Sequence, residues 1–73
     1  MSRKLKKIII DTVNESYEYH GKDATTVKMG IDRAGVSGSE WTSPLQLGNK
    51  NNITFVLRHI VAIYEVYQEE ETS

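Results

Sequence analysis

The residues of this chain that could do acid–base chemistry centre on His59, a candidate general base beside Arg58. The groups that would complete a nucleophilic triad with it are carboxylates and serines, namely Asp32, Glu40, Ser37 and Ser39. Triad partners meet in space and follow no sequence spacing, so nothing in the chain assembles them. We therefore expect no enzymatic activity and no catalytic residues.

A glycine-rich segment, Gly30–Gly38, could cradle a phosphate with its backbone amides. A phosphate loop also needs a Gly-Lys-Ser/Thr sequence and a helix that starts at the loop, and neither is apparent here. The glycines favour a hairpin turn instead. If this loop does bind an anion, Arg33 and Lys28 are the expected contacts, and we expect no cofactor.

The 73-residue chain has no cysteine and only two histidines, so we expect neither disulfides nor a metal site. The sequence predicts one domain over residues 1–73. A domain of this length buries only about 60% of its unfolded surface and is marginal without help. Oligomerisation is the remaining source of that help.

Charge and hydropathy narrow the function classes. The net charge of −1 argues against a strong sequence-independent nucleic-acid binder. No apolar run reaches the roughly 18 residues of a transmembrane helix. The N-terminal apolar run is three isoleucines, Ile8–Ile10, whereas a signal peptide needs about 7–15 apolar residues. We expect a cytoplasmic protein without membrane contact.

Hydrophobic periodicity predicts a helix–strand–strand–helix (αββα) order in the α+β class. Residues 3–20 read as an amphipathic helix ended by Gly21, although the β-branched run Lys7–Val13 allows a strand. Residues 25–33 and 41–47 alternate and predict an antiparallel two-stranded hairpin packed on two helices. Residues 52–70 predict the last helix, with a frayed tail at about 69–73.

That last segment is apolar on two opposite sides when it is drawn as a helix. Its second stripe has the spacing i, i+4, i+7, i+11 and consists of Phe55, His59, Ala62 and Val66. A surface helix in a small monomer needs only one apolar stripe. The stripe is therefore the predicted partner or dimer interface, and dimerisation would complete the sheet. The alternative is that the hairpin or the termini of the same chain cover this stripe.

The basic residues have two interpretations. Facing helices would neutralise the N-terminal bases with the C-terminal glutamates on a solvated surface. Otherwise the bases are contacts for an anion or a nucleic acid, and the candidates are Lys28, Arg33, Lys50, Arg3, Lys4, Lys6 and Lys7.

The function expected from these features is a small non-enzymatic interaction or regulatory module, an adaptor or inhibitor of bacterial or phage type. It would act through its apolar helix face, as a homodimer or on a protein partner. The alternatives are a nucleic-acid-binding regulator that uses the hairpin and N-terminal bases, and a nucleotide or small-molecule binder at the dimer interface.

Overall fold

Three antiparallel strands and one helix form most of the chain, and the computed structural model describes residues 3–48 and 50–69. The elements in order are β1 (Arg3–Thr12), β2 (Ser16–His20), α1 (Gly21–Ser37), β3 (Leu45–Gln46), β4 (Asn52–Ile53), a 3-10 turn (Leu57–His59) and β5 (Ile60–Glu69). The large sheet has the strand order β2-β1-β5, and β3 and β4 form a separate small hairpin.

β1 is the central strand of the large sheet. The β-branched side chains of Ile8, Ile9 and Ile10 favour an extended backbone. Ile8 and Ile10 are 1% and 0% exposed, whereas Ile9 lies on the opposite face of the sheet. The pairing with β5 shifts register between Leu5 and Lys7, so Leu5 joins Ile8 on the buried face although the two are three positions apart.

α1 packs across β1 and β2 through one stripe of small and branched side chains. Its buried residues follow the helical spacing i, i+3, i+7, i+10 and are Ala24, Val27, Ile31 and Ala34. Gly38 takes a left-handed φ of 73° just after the helix, and the N–H of Ser39 donates to the carbonyl of Ala34 at 2.9 Å. These contacts end the helix in the manner that glycine permits.

The segment between α1 and β5 closes the core beside β2. Phe55 is 4% exposed and packs edge-on against the rings of Tyr17 and Tyr19, with centroids 5.6 Å and 6.2 Å away. The N–H of Phe55 donates to Oγ1 of the buried Thr42 at 3.0 Å. The N–H of Thr42 donates to the Phe55 carbonyl at 2.9 Å. Leu45 completes this side by packing against Gly30 of α1.

The predicted αββα fold with two helices is wrong. Residues 3–20 form β1 and β2, so the strand that Lys7–Val13 allowed is the element present there. Residues 25–33, predicted as a strand, lie inside α1, and the predicted strand at 41–47 is reduced to β3. Of the helix predicted over residues 52–70, the described residues 52–69 contain β4, the 3-10 turn and β5 instead. The predicted tail lies, apart from Glu69, outside the described residues.

The amino-acid types of residues 60–67 explain why this segment forms a strand and not a helix. Residues 60–67 are Ile, Val, Ala, Ile, Tyr, Glu, Val and Tyr, seven apolar or aromatic residues of eight, four of them β-branched. Such a run is typical of a strand with apolar side chains on both faces. The two apolar sides are therefore the two faces of β5.

Candidate functional site

β5 is a long strand at the edge of the sheet. It spans ten residues and pairs antiparallel with β1 on one side. In the described part of the chain, no strand pairs with its other side. An edge of this kind presents a row of backbone N–H and C=O groups to any extended chain that approaches it.

The same strand carries much of the exposed apolar surface. Eight large apolar side chains of the described residues are strongly exposed, and four of them belong to β5. Those four are Val61, Ile63, Tyr64 and Tyr67, at 69%, 41%, 54% and 40% exposure. Single exposed apolar residues are ordinary, but a cluster on one element marks an interaction site. We call the outer edge of β5 together with these four side chains the β5 surface.

The two faces of β5 differ in their surroundings. Ile10 lies opposite Ile63, which places Ile63 on the face that α1 covers in part. Ile9 lies opposite Tyr64, which places Tyr64 on the far face of the sheet. Ala62 and Val66 lie half-buried on that far face as well. The β5 surface therefore extends around both sides of the strand.

Charged groups lie at the middle and at both ends of β5. Oε1 of Glu65 lies 2.9 Å from Nζ of Lys28, which also contacts Oδ2 of Asp32 at 2.8 Å. The strand begins directly after the exposed Arg58 and His59 and ends at the exposed Glu69. The start of the strand is thus basic, and its end carries Glu69 opposite Arg3 of β1.

The structure separates the four residues of the predicted interface stripe. Phe55 is buried in the core, and His59 is exposed in the 3-10 turn. Ala62 and Val66 do lie on the same far face of the sheet, four positions apart on β5. The helix that was expected to align all four is not formed.

The predicted anion contacts are dispersed, and two of them are paired. Hydrogen bonds with Asp32 and then Glu65 raise the pKa of Lys28 above its ordinary value, so this ammonium is held by carboxylates. Nζ of Lys7 lies 4.0 Å from Oε2 of Glu18. The remaining candidates are exposed at the start of β1, on α1 and in the β3–β4 turn, and are Arg3, Lys4, Lys6, Arg33 and Lys50. A nucleic-acid contact through them stays a prediction.

The glycine-rich segment Gly30–Gly38 belongs to α1 and its C-terminal cap. Its backbone amides take part in the hydrogen bonding of the helix and its cap. The helix C-terminus presents carbonyl groups with partial negative charge, which does not favour an anion. Arg33, Ser37 and the exposed Trp41 border a depression of about 270 Å³ there. This is below the roughly 300–1,000 Å³ of typical ligand pockets, so the depression is a shallow one.

The groups considered for acid–base chemistry lie in separate elements. His59 is in the 3-10 turn, and its backbone carbonyl accepts a hydrogen bond from the N–H of Val13 at 3.0 Å. Ser37 and Ser39 lie at the end of α1, with hydroxyl oxygens 3.1 Å apart. Nε2 of the other histidine, His20, lies 2.6 Å from Oε2 of Glu18. Within residues 3–48 and 50–69, no three potential metal ligands of the His, Asp or Glu type are grouped.

Sequence reasoning missed the β5 surface because it assigned the wrong element to residues 60–69. The signal that could have found it is the high share of β-branched and aromatic residues among residues 60–67. In the same described ranges, no helix combines the length and the apolar character that a membrane crossing requires.

The chain matches no protein-family model, no curated protein and no solved structure.

Proposed function

We propose that this chain is a small non-enzymatic protein-interaction module, an adaptor or inhibitor, that binds an extended segment of another polypeptide along the β5 surface. One observation carries the proposal. A ten-residue strand that pairs on one side also holds half of the strongly exposed large apolar side chains of the described residues.

The physical basis is strand addition at a sheet edge. An incoming strand would gain main-chain hydrogen bonds from the outer N–H and C=O groups of β5, and these supply affinity. Specificity would come from side chains on the two faces, since Tyr64 projects to one face and Ile63 to the other. Natural proteins usually blunt such edges with charges, prolines or bulges. Before its last position, β5 has two features of this kind, a register shift at its start and one charged residue, Glu65. Most of its outer edge therefore stays open to an added strand.

The proposal includes a cytosolic location, in keeping with a sequence that contains no cysteine. Its main rival is the nucleic-acid-binding regulator. That rival draws less support, because Lys28 and Lys7 lie beside carboxylates. Binding to random-sequence DNA that falls steeply with salt would favour the rival.

Site-specific photo-crosslinking tests the proposed function. A benzophenone amino acid is placed at Tyr64 on β5, or as a matched control at Val36, which is 90% exposed on the outer side of α1. After irradiation in the producing cells, mass spectrometry maps the joined segment. We expect adducts at position 64 that exceed those at position 36. Equal or absent crosslinking at position 64 would contradict the proposal.

A further inference from the structure

We propose that the segment which occupies the β5 surface is β5 of a second copy of this chain, running antiparallel. The two three-stranded sheets would then continue as one six-stranded sheet. This inference rests on the proposed function and names the partner of the same surface. Four observations carry it: the free edge, the symmetry of a strand pair, the charges at the strand ends and the exposed side chains.

Symmetry limits how two β5 strands can meet. Small homodimers close through a twofold axis. For two antiparallel edge strands in one sheet, this axis stands normal to the sheet, so each face of one copy continues into the same face of the other. Only registers centred on a single residue meet this condition. Those centred on Tyr64 and on Glu65 overlap nearly all of the strand Ile60–Glu69.

Electrostatics selects between these two registers. A register centred on Glu65 would set two carboxylates directly opposite each other, which destabilises a strand pair. A register centred on Tyr64 sets two aromatic rings opposite each other, a favourable pair. It also places Glu65 opposite Ile63 of the second copy. We therefore assign the register centred on Tyr64.

The charges at the ends of β5 fit antiparallel self-pairing. In the Tyr64 register, Gln68 of one copy lies opposite Ile60 of the other, so Glu69 comes near the 3-10 turn that carries Arg58 and His59. Among the described residues, the side chains of Arg58 and His59 have no ion-pair partner. Glu69 is followed in the sequence by Glu70 and Glu71. Within one copy the two ends of β5 lie about 30 Å apart, at the ordinary rise of a strand. Arg3 of β1 lies opposite Glu69, but no ion pair joins the two among the described residues.

The exposed side chains fit the same arrangement. Tyr67, which lies on the face next to α1, would come opposite Val61 of the other copy, the residue at the register shift of β5. Val66 would lie opposite Ala62 on the far face, beside the two Tyr64 rings. Pairing would thus cover exposed side chains of the β5 surface on both faces of the sheet. A small domain with few buried residues gains stability from burying apolar surface in such a contact.

Disulfide trapping tests the self-pairing directly, because the chain contains no cysteine of its own. Tyr64→Cys is compared with Val36→Cys, a control on the outer side of α1. Opposed residues of a strand pair bring their Cβ atoms within reach of a disulfide. Under mild oxidation of dilute protein, we expect Tyr64→Cys to become a covalent dimer severalfold faster than Val36→Cys. Equal rates would overturn the inference.

Glu65→Cys tests the register. In the assigned register its thiol lies opposite Ile63 of the second copy, so it should crosslink more slowly than Tyr64→Cys. Faster crosslinking of Glu65→Cys would overturn the register centred on Tyr64.

Sedimentation velocity separates failure of this inference from failure of the proposed function. We expect a dimer for the unmodified chain and for Val36→Lys. We expect a monomer with unchanged circular dichroism for Tyr64→Lys, which sets two ammonium groups opposite each other. An unmodified chain that stays monomeric at high concentration would overturn self-pairing. Crosslinks from position 64 to a different protein would then still support the proposed function, and their absence would overturn both.

Discussion

The carboxylate of Glu65 on β5 lies 2.9 Å from the ammonium of Lys28 on α1, and this ion pair connects the edge strand to the helix. Both side chains are about one-third exposed, at 32% and 31%. Asp32, one turn along α1, holds the same ammonium from the other side. The pair lies beside the β5 surface and anchors the middle of the strand that forms it.

Removing this cation should lower stability by a measurable but small amount. We expect Lys28→Ala to reduce the free energy of unfolding by about 0.5–1 kcal/mol, because partly exposed ion pairs contribute little each. Lys22→Ala is the matched control near the start of the same helix. Urea unfolding monitored by circular dichroism measures both. Equal losses in the two variants would show that the pair contributes nothing.

A second prediction compares two glycines of α1. A Cβ at Gly30 would lie 2.4 Å from Cδ2 of Leu45, whereas a Cβ at Gly35 would meet nothing within 4 Å. We expect Gly35→Ala to stabilise the chain by about 0.5–1 kcal/mol through helix propensity. Gly30→Ala should destabilise it by about 1–2 kcal/mol, because overpacking outweighs that gain. Thermal unfolding of both variants checks the signs.

Adding Leu45→Ala to Gly30→Ala provides the control for this second prediction. If the clash with Leu45 is the cause, the loss from Gly30→Ala should shrink or vanish in the Leu45→Ala background. An unchanged loss would place the cause elsewhere.

A third prediction concerns the fully buried Thr42. Its Oγ1 accepts a hydrogen bond from the N–H of Phe55, which valine cannot accept. We expect Thr42→Val to cost about 1–3 kcal/mol, because a buried N–H is left without a partner. Thr42→Ser keeps the acceptor and should cost clearly less. Denaturant unfolding distinguishes the two, and a greater loss in the serine variant would contradict the role of the hydroxyl.

Particular residues explain why the sequence predicted part of this structure and missed the rest. The α+β class was predicted. The turn residues around Gly48 could also have indicated the β3–β4 hairpin, but the predicted helix at residues 52–70 left no second strand there. The helix predicted over residues 3–20 was wrong because the register shift after Leu5 gives Leu5 and Ile8 a helix-like spacing of three on a strand. Spacing alone cannot reveal a bulge.

α1 was missed for a different reason. The alternation of Val27, Met29 and Ile31 predicts a strand, but Met29 is 53% exposed. The true buried stripe depends on Ala24 and Ala34, small residues that contribute little to a hydrophobic pattern and allow α1 to pack closely on the sheet. The β5 surface was beyond sequence reasoning once residues 60–69 were placed in a helix, since edge position depends on the order of strands.

A fourth prediction concerns alkaline pH. Burial raises the pKa of Tyr19 above its ordinary value of 10.0, and Asp23 and Glu15 add to this shift. Hydrogen bonds with Asp32 and Glu65 raise the pKa of Lys28 in the same direction. The folded chain therefore holds these protons more tightly than the unfolded chain. Their contribution to stability is intact below about pH 10 and is lost as the pH rises through the folded pKa values.

We accordingly expect the free energy of unfolding to fall as the pH rises above about 10. The fall should be shallower in Tyr19→Phe, which has no phenol to titrate. Urea unfolding at a series of pH values measures the slope. A fall of the same steepness in Tyr19→Phe would contradict the role assigned to Tyr19.

Amide hydrogen exchange, resolved residue by residue by NMR, tests the central claim that the free edge of β5 pairs with a second copy. In an isolated chain, the alternate amides of Ile60–Glu69 that do not donate to β1 face solvent and exchange rapidly. We predict that these amides are protected at high protein concentration and lose protection on dilution, while the amides bonded to β1 stay protected. Rapid exchange of the outer amides at every concentration would contradict the account.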